Sequence, residues 1–380
     1  MDKFELIVPC LFGMEAFVTR ELKRLGYETS SVEDGKVTFI GDLDAVCRAN
    51  LWLRCGERVL IKIGEFTAVT FDELFEKTKA LDWPQWLSKN SAFPVKGFCL
   101  KSQLASMRDC QAIIKKAIVS SLSQKYGIDW FDEDGTVYQI QFSVLKDKVT
   151  LMIDTSGDGL HKRGYRRIAN AAPLKETIAA AMVMMSYWKF EYPLCDPFCG
   201  SGTIPIEAAM FKRCIAPGLT RHFSAEQFDQ FSPKQWADAR EDAESRKRST
   251  PLTIHASDID ADTLGIAREN ARIAGVDDVI SFSCGDAADF YSDIPYGSII
   301  CNPPYGERLS DADSCIELYS KIGKAFSRLP DWSYYILAAD ENFERHFGKK
   351  ADKRRKIYNG MIKCNIYQYF GKRPPSEHRK

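Results

Sequence analysis

No apolar run in these 380 residues approaches the ~18 that a membrane span requires, and the opening MDKFELIVPC has neither a basic stretch nor a long apolar one after it. Membrane spanning and secretion are therefore not expected, and the chain reads as cytoplasmic with no membrane partner. The 12 cysteines contain no C-x-x-C pair, so the expectation is reduced, buried thiols, with neither a metal site nor a disulfide framework. Net charge is missing too: 52 Lys and Arg offset 52 Asp and Glu. Balance over a whole chain hides local stripes, so charge has to be read segment by segment. Long-period repeats and low-complexity tracts are also lacking. A length of 380 with 45% hydrophobic residues fits two or three globular domains.

What is present is a change of rhythm along the chain. FELIVPC reads as a strand, and LFGMEAFVTRELKRLGY as a helix with Phe17, Val18, Leu22 and Leu25 on one face. KVTFI, a short helix over 42–51 and the strand RVLIKIGEF complete a small α+β unit of roughly sixty residues. From Thr70 come a helix, FDELFEKTKAL, a strand, VKGFCLKSQL, a helix over Met107–Tyr126, and strands near 137–144 and 149–153. PLKETIAAAMVMMSYW predicts a helix starting at Pro173. Beyond it YPLCDPF, LTIHASD, VISFSCGD, SIICNPPY and WSYYILAA alternate with helical stretches, the signature of a parallel sheet covered on both faces. RRKIYNGMIKCNIYQYF, turning at Asn359-Gly360, adds an antiparallel hairpin, and 216–251 reads as an insertion between the first two strands of this last part.

Three segments are locally basic. Lys96, Lys101, Arg108, Lys115, Lys116 and Lys125 face only Asp109 within 96–125; Lys162, Arg163, Arg166 and Arg167 surround Tyr165 in the hinge-like GDGLHKRGYRR; and a third run lies over 345–363. The first two are expected to contact phosphates, the third is a rival, and a solvated helix face is the plainer alternative.

The chemistry concentrates in two motifs. Asp196-Pro197-Phe198-Cys199-Gly200-Ser201-Gly202-Thr203 lies between a strand and a helix, where glycines admit a ligand close to backbone and the helix start offers free N–H groups. It is neither G-x-G-x-x-G nor a G-K-[ST] phosphate loop. An acid ending the first strand suits a cofactor with positive charge, which points to S-adenosylmethionine. Asp258 and Asp286 end the next two strands, where one can accept from ribose hydroxyls and the other from an adenine amine. Ile259 and Ala287 follow them, Ile259 placed against the adenine, and Asp260 is the expected helix cap. Asn302-Pro303-Pro304-Tyr305 ends the fourth parallel strand. Its prolines free carbonyls to accept, so the Asn302 oxygen and Pro303 carbonyl can hold both hydrogens of an exocyclic amine while Tyr305 stacks on the base. Cys301 should point away from Asn302, which disfavours a thiol nucleophile.

D-P-F-C-G-S-G-T-I-P-I-E-A-A, S-D-I-D, G-D-A, N-P-P-Y-G-E-R-L and H-K-R-G-Y-R together resemble the THUMP-containing class I RNA guanine-N2 methyltransferases, notably the bacterial 23S rRNA type. The resemblance implies a doubly wound, Rossmann-like α/β methyltransferase domain with an antiparallel terminal hairpin, preceded by ferredoxin-like and THUMP α+β domains. It implies boundaries of 1–66 for the ferredoxin-like domain, 67–155 for THUMP, 156–170 for a basic linker and 171–380 for the methyltransferase domain. Asp196, Phe198, Gly200, Ser201, Gly202, Thr203, Asp258, Ile259, Asp286, Ala287 and Asn302 would then bind S-adenosylmethionine, and Asn302, Pro303, Pro304 and Tyr305 would be catalytic. Apart from the resemblance, Glu307 and Arg308 are candidates for selecting guanine by sequence proximity alone, an exposed ion pair that steadies the loop being the alternative. The implied partner is 23S rRNA or a large-subunit assembly intermediate, with no obligate protein partner evident. A tRNA guanine-N2 enzyme, a DNA or RNA adenine-N6 enzyme, and a noncatalytic ribosome-assembly factor stay open as alternatives.

Overall fold

The computed structural model describes residues 3–166, 174–305, 312–360 and 362–374. Among them the chain forms two seven-stranded sheets in two compact units, one mainly Val18–Leu160 with Arg221–Asp242, the other mainly His161–Thr220 and Ala243 onward.

The first unit runs β1 (Phe4–Pro9), α1 (Glu15–Arg24), β2 (Thr29–Glu33), β3 (Lys36–Gly41), α2 (Leu43–Trp52), β4 (Leu60–Thr67), α3 (Phe71–Lys79), β5 (Val95–Leu100), α4 (Met107–Tyr126), β6 (Ile140–Leu145) and β7 (Lys148–Asp154). Helix ends follow local chemistry. Asp42 caps α2 by accepting from the Ala45 amide at 2.9 Å, Ser106 caps α4, and Gly127 closes α4 in the left-handed region at φ +68°. The strand order is β2-β3-β1-β4-β7-β6-β5. β4 pairs with β1 on one side and with β7 on the other, so the two N-terminal regions expected as separate domains share one ladder of backbone hydrogen bonds. β2 was not foreseen, because TSSVE is polar and almost wholly exposed and gives no apolar alternation.

The second unit contains α5 (Glu176–Met185), β8 (Leu194–Asp196) and α6 (Thr203–Lys212), then, after α7 (Pro233–Ser245), β9 (Ile254–Asp258), α8 (Ala261–Ala274), β10 (Ile280–Cys284), β11 (Ser298–Cys301), α9 (Ala312–Ser327), β12 (Ser333–Ala338), α10 (Phe343–Phe347), β13 (Lys353–Asn359) and β14 (Ile362–Tyr369). Its order, β10-β9-β8-β11-β12-β14-β13, is parallel through β12 and closes with the antiparallel hairpin. The chain leaves β8 toward β9 on one side and returns to β11 on the other, so the crevice at the carboxyl ends of β8 and β11 is the topological switch point where such sheets bind ligands. Below it Tyr319, Ile322, Phe326, Ile336 and Tyr367 are buried in the hydrophobic core between α9 and the sheet. The Pro173 start expected for α5 lies outside the described residues; the helix is entered at Glu176.

The insertion is the part that departs from expectation. Arg221–Asp242 belongs to the first unit rather than to the sheet whose strands it separates. Phe228 stacks on Tyr138 with ring centroids 4.1 Å apart, the Asp229 amide donates to the Tyr138 hydroxyl at 3.0 Å, and Arg221 donates to the Gly159 carbonyl at 2.7 Å. Aromatic burial of this kind outweighs chain proximity.

Candidate active site and cofactor cavity

A cavity of about 430 Å³ opens at the switch point. The turn after β8 forms its floor, and hydrogen bonds from the neighbouring strand and helix fix that turn. The Cys199 amide donates to the Ser257 carbonyl at 2.9 Å, the Gly200 amide to Asp258 Oδ2 at 2.9 Å, and Asn270 Nδ2 to the Ser201 carbonyl at 3.0 Å. Gly200 and Gly202 hold φ of +52° and +84°, and a Cβ on Gly202 would meet Ala267 and Ile206 at 3.2 Å, so helix and turn close only around glycine. No side chain caps α6 at Gly202, which leaves its first amides directed at whatever occupies the cavity.

Asp196, Phe198, Gly200, Ser201, Thr203, Asp258, Ile259, Asp286, Ala287 and Asn302 all line this cavity. Gly202 shapes it without lining it. Pro304 lines it too, whereas Pro303 and Tyr305 do not. Lining residues to which the sequence assigned no cofactor role are Leu174, Pro197, Cys199, Ile204, Gly285 and Leu318. Four of these sit inside the motifs already quoted; Leu174 lies just before α5 and Leu318 on α9, and no local pattern marks them.

The acids differ in what they can offer. Asp196 is buried, and burial pushes its carboxyl well above the usual carboxylate range, with the charge of Asp258 adding to the effect. Its Oδ1 accepts from the Phe198 amide at 3.1 Å, while Oδ2 is buried with no partner. An unpaired buried carboxylate oxygen facing a cavity is the complement of a cationic group. Asp258 spends one lone pair of each oxygen on backbone, at Gly200 and at Asp260 (3.1 Å), and so braces the turn as well as facing the cavity. Asp286 accepts from the Ala288 amide at 2.8 Å, capping a short turn while facing the cavity. Asp260 caps α8 by accepting from Asp262 and Thr263, as its position suggested. Ile259 is 74% exposed, a large apolar surface that a planar aromatic group would cover.

At the end of β11 the Tyr305 hydroxyl donates to Asn302 Oδ1, and the Pro304 carbonyl accepts from the Tyr319 hydroxyl at 2.7 Å. The tetrad is thus tied to itself and to α9, and an amide oxygen that accepts from Tyr305 retains a second lone pair. Cys301 is fully buried, and burial pushes its thiol well up, which removes the nucleophilic thiolate. Glu307 and Arg308 lie outside the described residues. No cluster of three or more His, Cys, Asp or Glu able to hold a metal occurs among the described residues, and no helix there is long and apolar enough to cross a membrane.

Two arginines of the segment expected as a phosphate-contacting hinge are turned inward, while Lys162 is exposed. Arg163 is buried with its Nε 3.3 Å from Glu207 Oε1, to which the buried Tyr165 hydroxyl also donates at 3.3 Å. Arg166 donates to Thr203 Oγ1 at 2.6 Å and to the Leu174 carbonyl at 2.9 Å, with Glu176 Oε1 at 3.5 Å. Both of its hydrogen-bond partners line the cavity, so Arg166 braces the wall rather than reaching for phosphate. Arg167 lies outside the described residues.

A doubly wound sheet with a glycine turn, an acid at each of three strand ends and N-P-P-Y on the fourth defines a class I methyltransferase. Comparison with known proteins agrees. The RMKL-like methyltransferase domain matches residues 163–368, the RlmL ferredoxin-like domain 5–60 and the THUMP domain 68–154, and the chain belongs to this family. It is 47% identical over 378 residues, 99% of this chain and 98% of the relative, to the Bacillus subtilis (strain 168) protein named "Putative RNA methyltransferase YpsC". A crystal structure from Listeria monocytogenes, titled a "predicted N6-adenine-specific DNA methylase", shares 49% identity over 98% of this chain and 97% of that one, with a TM-score of 0.93. The crystal structure of SMU.472, complexed with SAH, shares 41% identity over 99% and 100% of the two chains, TM-score 0.93. S-adenosylmethionine is the cofactor. The orphan oxygen of Asp196, the uncapped start of α6 and the exposed Ile259 are the unsatisfied groups at this cavity.

Proposed function

We propose that the chain methylates the exocyclic N2 amine of a guanine in 23S rRNA, taking the methyl group from S-adenosylmethionine. The observation that carries the reading is that Asn302 and Pro304 open onto the same cavity as the glycine turn. The cofactor, when bound, supplies an electrophilic methyl group. Asn302 Oδ1 and the Pro303 carbonyl accept the two amine hydrogens, which directs the nitrogen lone pair toward the cavity. The Tyr305 hydroxyl, by donating to Asn302, fixes which way the amide oxygen points. The amine nitrogen would attack the methyl carbon directly, the carbon–sulfur bond breaking with S-adenosylhomocysteine as the leaving group and one amine proton passing to solvent, with no covalent enzyme intermediate. A paired target has to be unstacked first, at a cost of a few kcal/mol.

A THUMP domain and the description carried by the Bacillus relative support RNA as the substrate class. The Listeria relative's title supports a second reading, adenine N6, because N-P-P-Y grips any exocyclic amine on an aromatic ring. Incubation with labelled cofactor and protein-free 23S rRNA, large subunits or unmodified tRNA, followed by nucleoside mass analysis, tests both. N2-methylguanosine in 23S rRNA is expected; N6-methyladenosine, label only in tRNA, or no transfer at all would overturn the base, the substrate or the activity respectively. Asn302→Ala should slow single-turnover methylation at least about tenfold, roughly 1.4 kcal/mol, with little change in RNA affinity.

A further inference from the structure

Edge strand β5 carries a surface that methyl transfer leaves unused. Its side chains alternate strictly: Val95, Gly97 and Cys99 turn inward, while Lys96, Phe98 and Leu100 are exposed, the last two at 53% each. Parallel pairing sets Leu100 beside Leu145 of β6, itself 39% exposed. The alternation has no slack, because a Cβ on Gly97 would sit 2.1 Å from the Phe142 carbonyl oxygen. Lys101 and Lys146 flank the stripe, and the Lys146 amide donates to the Leu100 carbonyl at 3.2 Å. The two loops that carry them are laced together, Gln103 donating to Asp147 Oδ1 at 2.7 Å and Asp147 to Ser102 Oγ at 3.0 Å. Lys101 and Lys146 sit at φ of +51° and +53°, where glycine or asparagine would cost less. Among the described residues Lys96, Lys101 and Lys146 enter no ion pair.

Lysines alone are the usual way to blunt an edge strand, but a phenylalanine and two leucines on the same face restore the hazard that lysines remove. That combination, aromatic and aliphatic surface ringed by unpaired positive charge, is the chemistry that holds nucleotides with their bases unstacked. We propose that Phe98, Leu100 and Leu145, with Lys96, Lys101 and Lys146, form a platform for single-stranded RNA, a base lying on the Phe98 ring and phosphates meeting the lysines. The stripe from Lys96 to Leu100 is about 13 Å long at ~3.3 Å per residue. A duplex keeps its base faces stacked inside and cannot use the ring. The proposal rests on the RNA reading above and adds to it the strand state and the face that captures it.

Fluorescence anisotropy of the full chain with labelled oligouridine and with an RNA duplex of equal length tests it. Phe98→Ala should weaken oligouridine binding about tenfold, leave the duplex within about twofold, and be rescued by Phe98→Trp. Lys96→Gln, Lys101→Gln and Lys146→Gln together should lower the slope of log affinity on log salt by about 2, at roughly 0.7 per lost phosphate contact on a single strand. An unchanged circular dichroism spectrum and thermal transition show that the variants are folded. If the wild type binds oligouridine and every variant matches it, the platform is wrong while the RNA reading stands. If the wild type binds neither RNA, the RNA reading falls and takes the platform with it. An equal loss for duplex and single strand with Phe98→Ala overturns base stacking.

Discussion

Two basic stretches that look alike in the sequence do opposite things in the fold. In the 162–167 run Arg163 is buried against Glu207 and Arg166 is turned onto Thr203 and the Leu174 carbonyl. In the 96–101 run Lys96 and Lys101 are exposed beside Phe98 and Leu100. Arg163 and Arg166 are spent inside the fold, Arg166 on two residues of the cavity wall, whereas Lys96 and Lys101 are free to meet an anion. A count of basic residues carries no information about burial, and what separates the two cases is the partner. Arg163 and Arg166 have carboxylates waiting on α5 and α6, whereas the outward stripe of β5 has none.

The sharpest way to break this contrast is at Arg163. Glu207 is fully buried, so Arg163→Ala leaves a carboxylate in the interior without its cation, and the expected cost is about 3–5 kcal/mol. Lys101→Ala, at an exposed position, should stay within about 0.5 kcal/mol. Chemical denaturation of the two variants beside the wild type reads the difference. Equal stabilities would mean that the interior pair is not what holds this strap.

Much of the second unit was legible because its information is local. Strand-helix alternation, the glycine turn, and acids at strand ends are consecutive residues whose meaning depends on immediate neighbours. The N-P-P-Y motif is equally local, yet its reading as one cavity face is incomplete: Asn302 and Pro304 line the cavity, while Tyr305 is bonded to Asn302 outside its lining. What could not be read is what long-range packing decides. Arg166 meets Thr203 across 37 positions, Leu318 comes from α9, and Arg221–Asp242 joins a unit to which its flanking strands do not belong. β2 was missed for the opposite reason, since an exposed strand needs no apolar pattern.

Asp196 extends the comparison from cations to an anion and carries the next largest effect. Burial raises its carboxyl, whereas in the unfolded chain it ionises near ~4. The empty folded site therefore retains a proton that the unfolded chain releases, so its contribution to stability is complete below about pH 4 and is lost as pH rises through the raised value. Asp196→Asn removes that loss, and the empty variant should melt higher than the wild type at alkaline pH. If Asp196 holds the cofactor ammonium, the same change deletes that partner, and calorimetric affinity for S-adenosylhomocysteine should fall about tenfold to a hundredfold, or 1.5–3 kcal/mol. In the wild type, affinity should weaken as pH falls. Affinity independent of both pH and Asp196 would remove the carboxylate from the site.

The smallest expected effect tests the contrast inside a single segment. Lys115 belongs to the same basic run as Lys96 and Lys101, but its Nζ donates to the Phe93 carbonyl at 3.0 Å, pairs with Glu133 Oε1 at 2.5 Å and lies 3.5 Å from the centre of the Phe93 ring. Burial lowers its pKa against the pull of Glu133. A lysine so engaged commits two of its three N–H donors and its ring contact inside the fold, yet it remains partly exposed, so the pair is worth only about 0.5–1 kcal/mol. Lys115→Met keeps the aliphatic stem on Phe93 and should cost the fold about that much while leaving the salt dependence of RNA binding unchanged. Lys101→Gln should do the reverse, sparing stability and lowering the salt slope by about 0.7 if it meets one phosphate. Measured side by side on the full chain, a slope change at Lys115 would mean that the pair with Glu133 opens in the complex and that the charge count, not the observed burial, is the better guide to the RNA face.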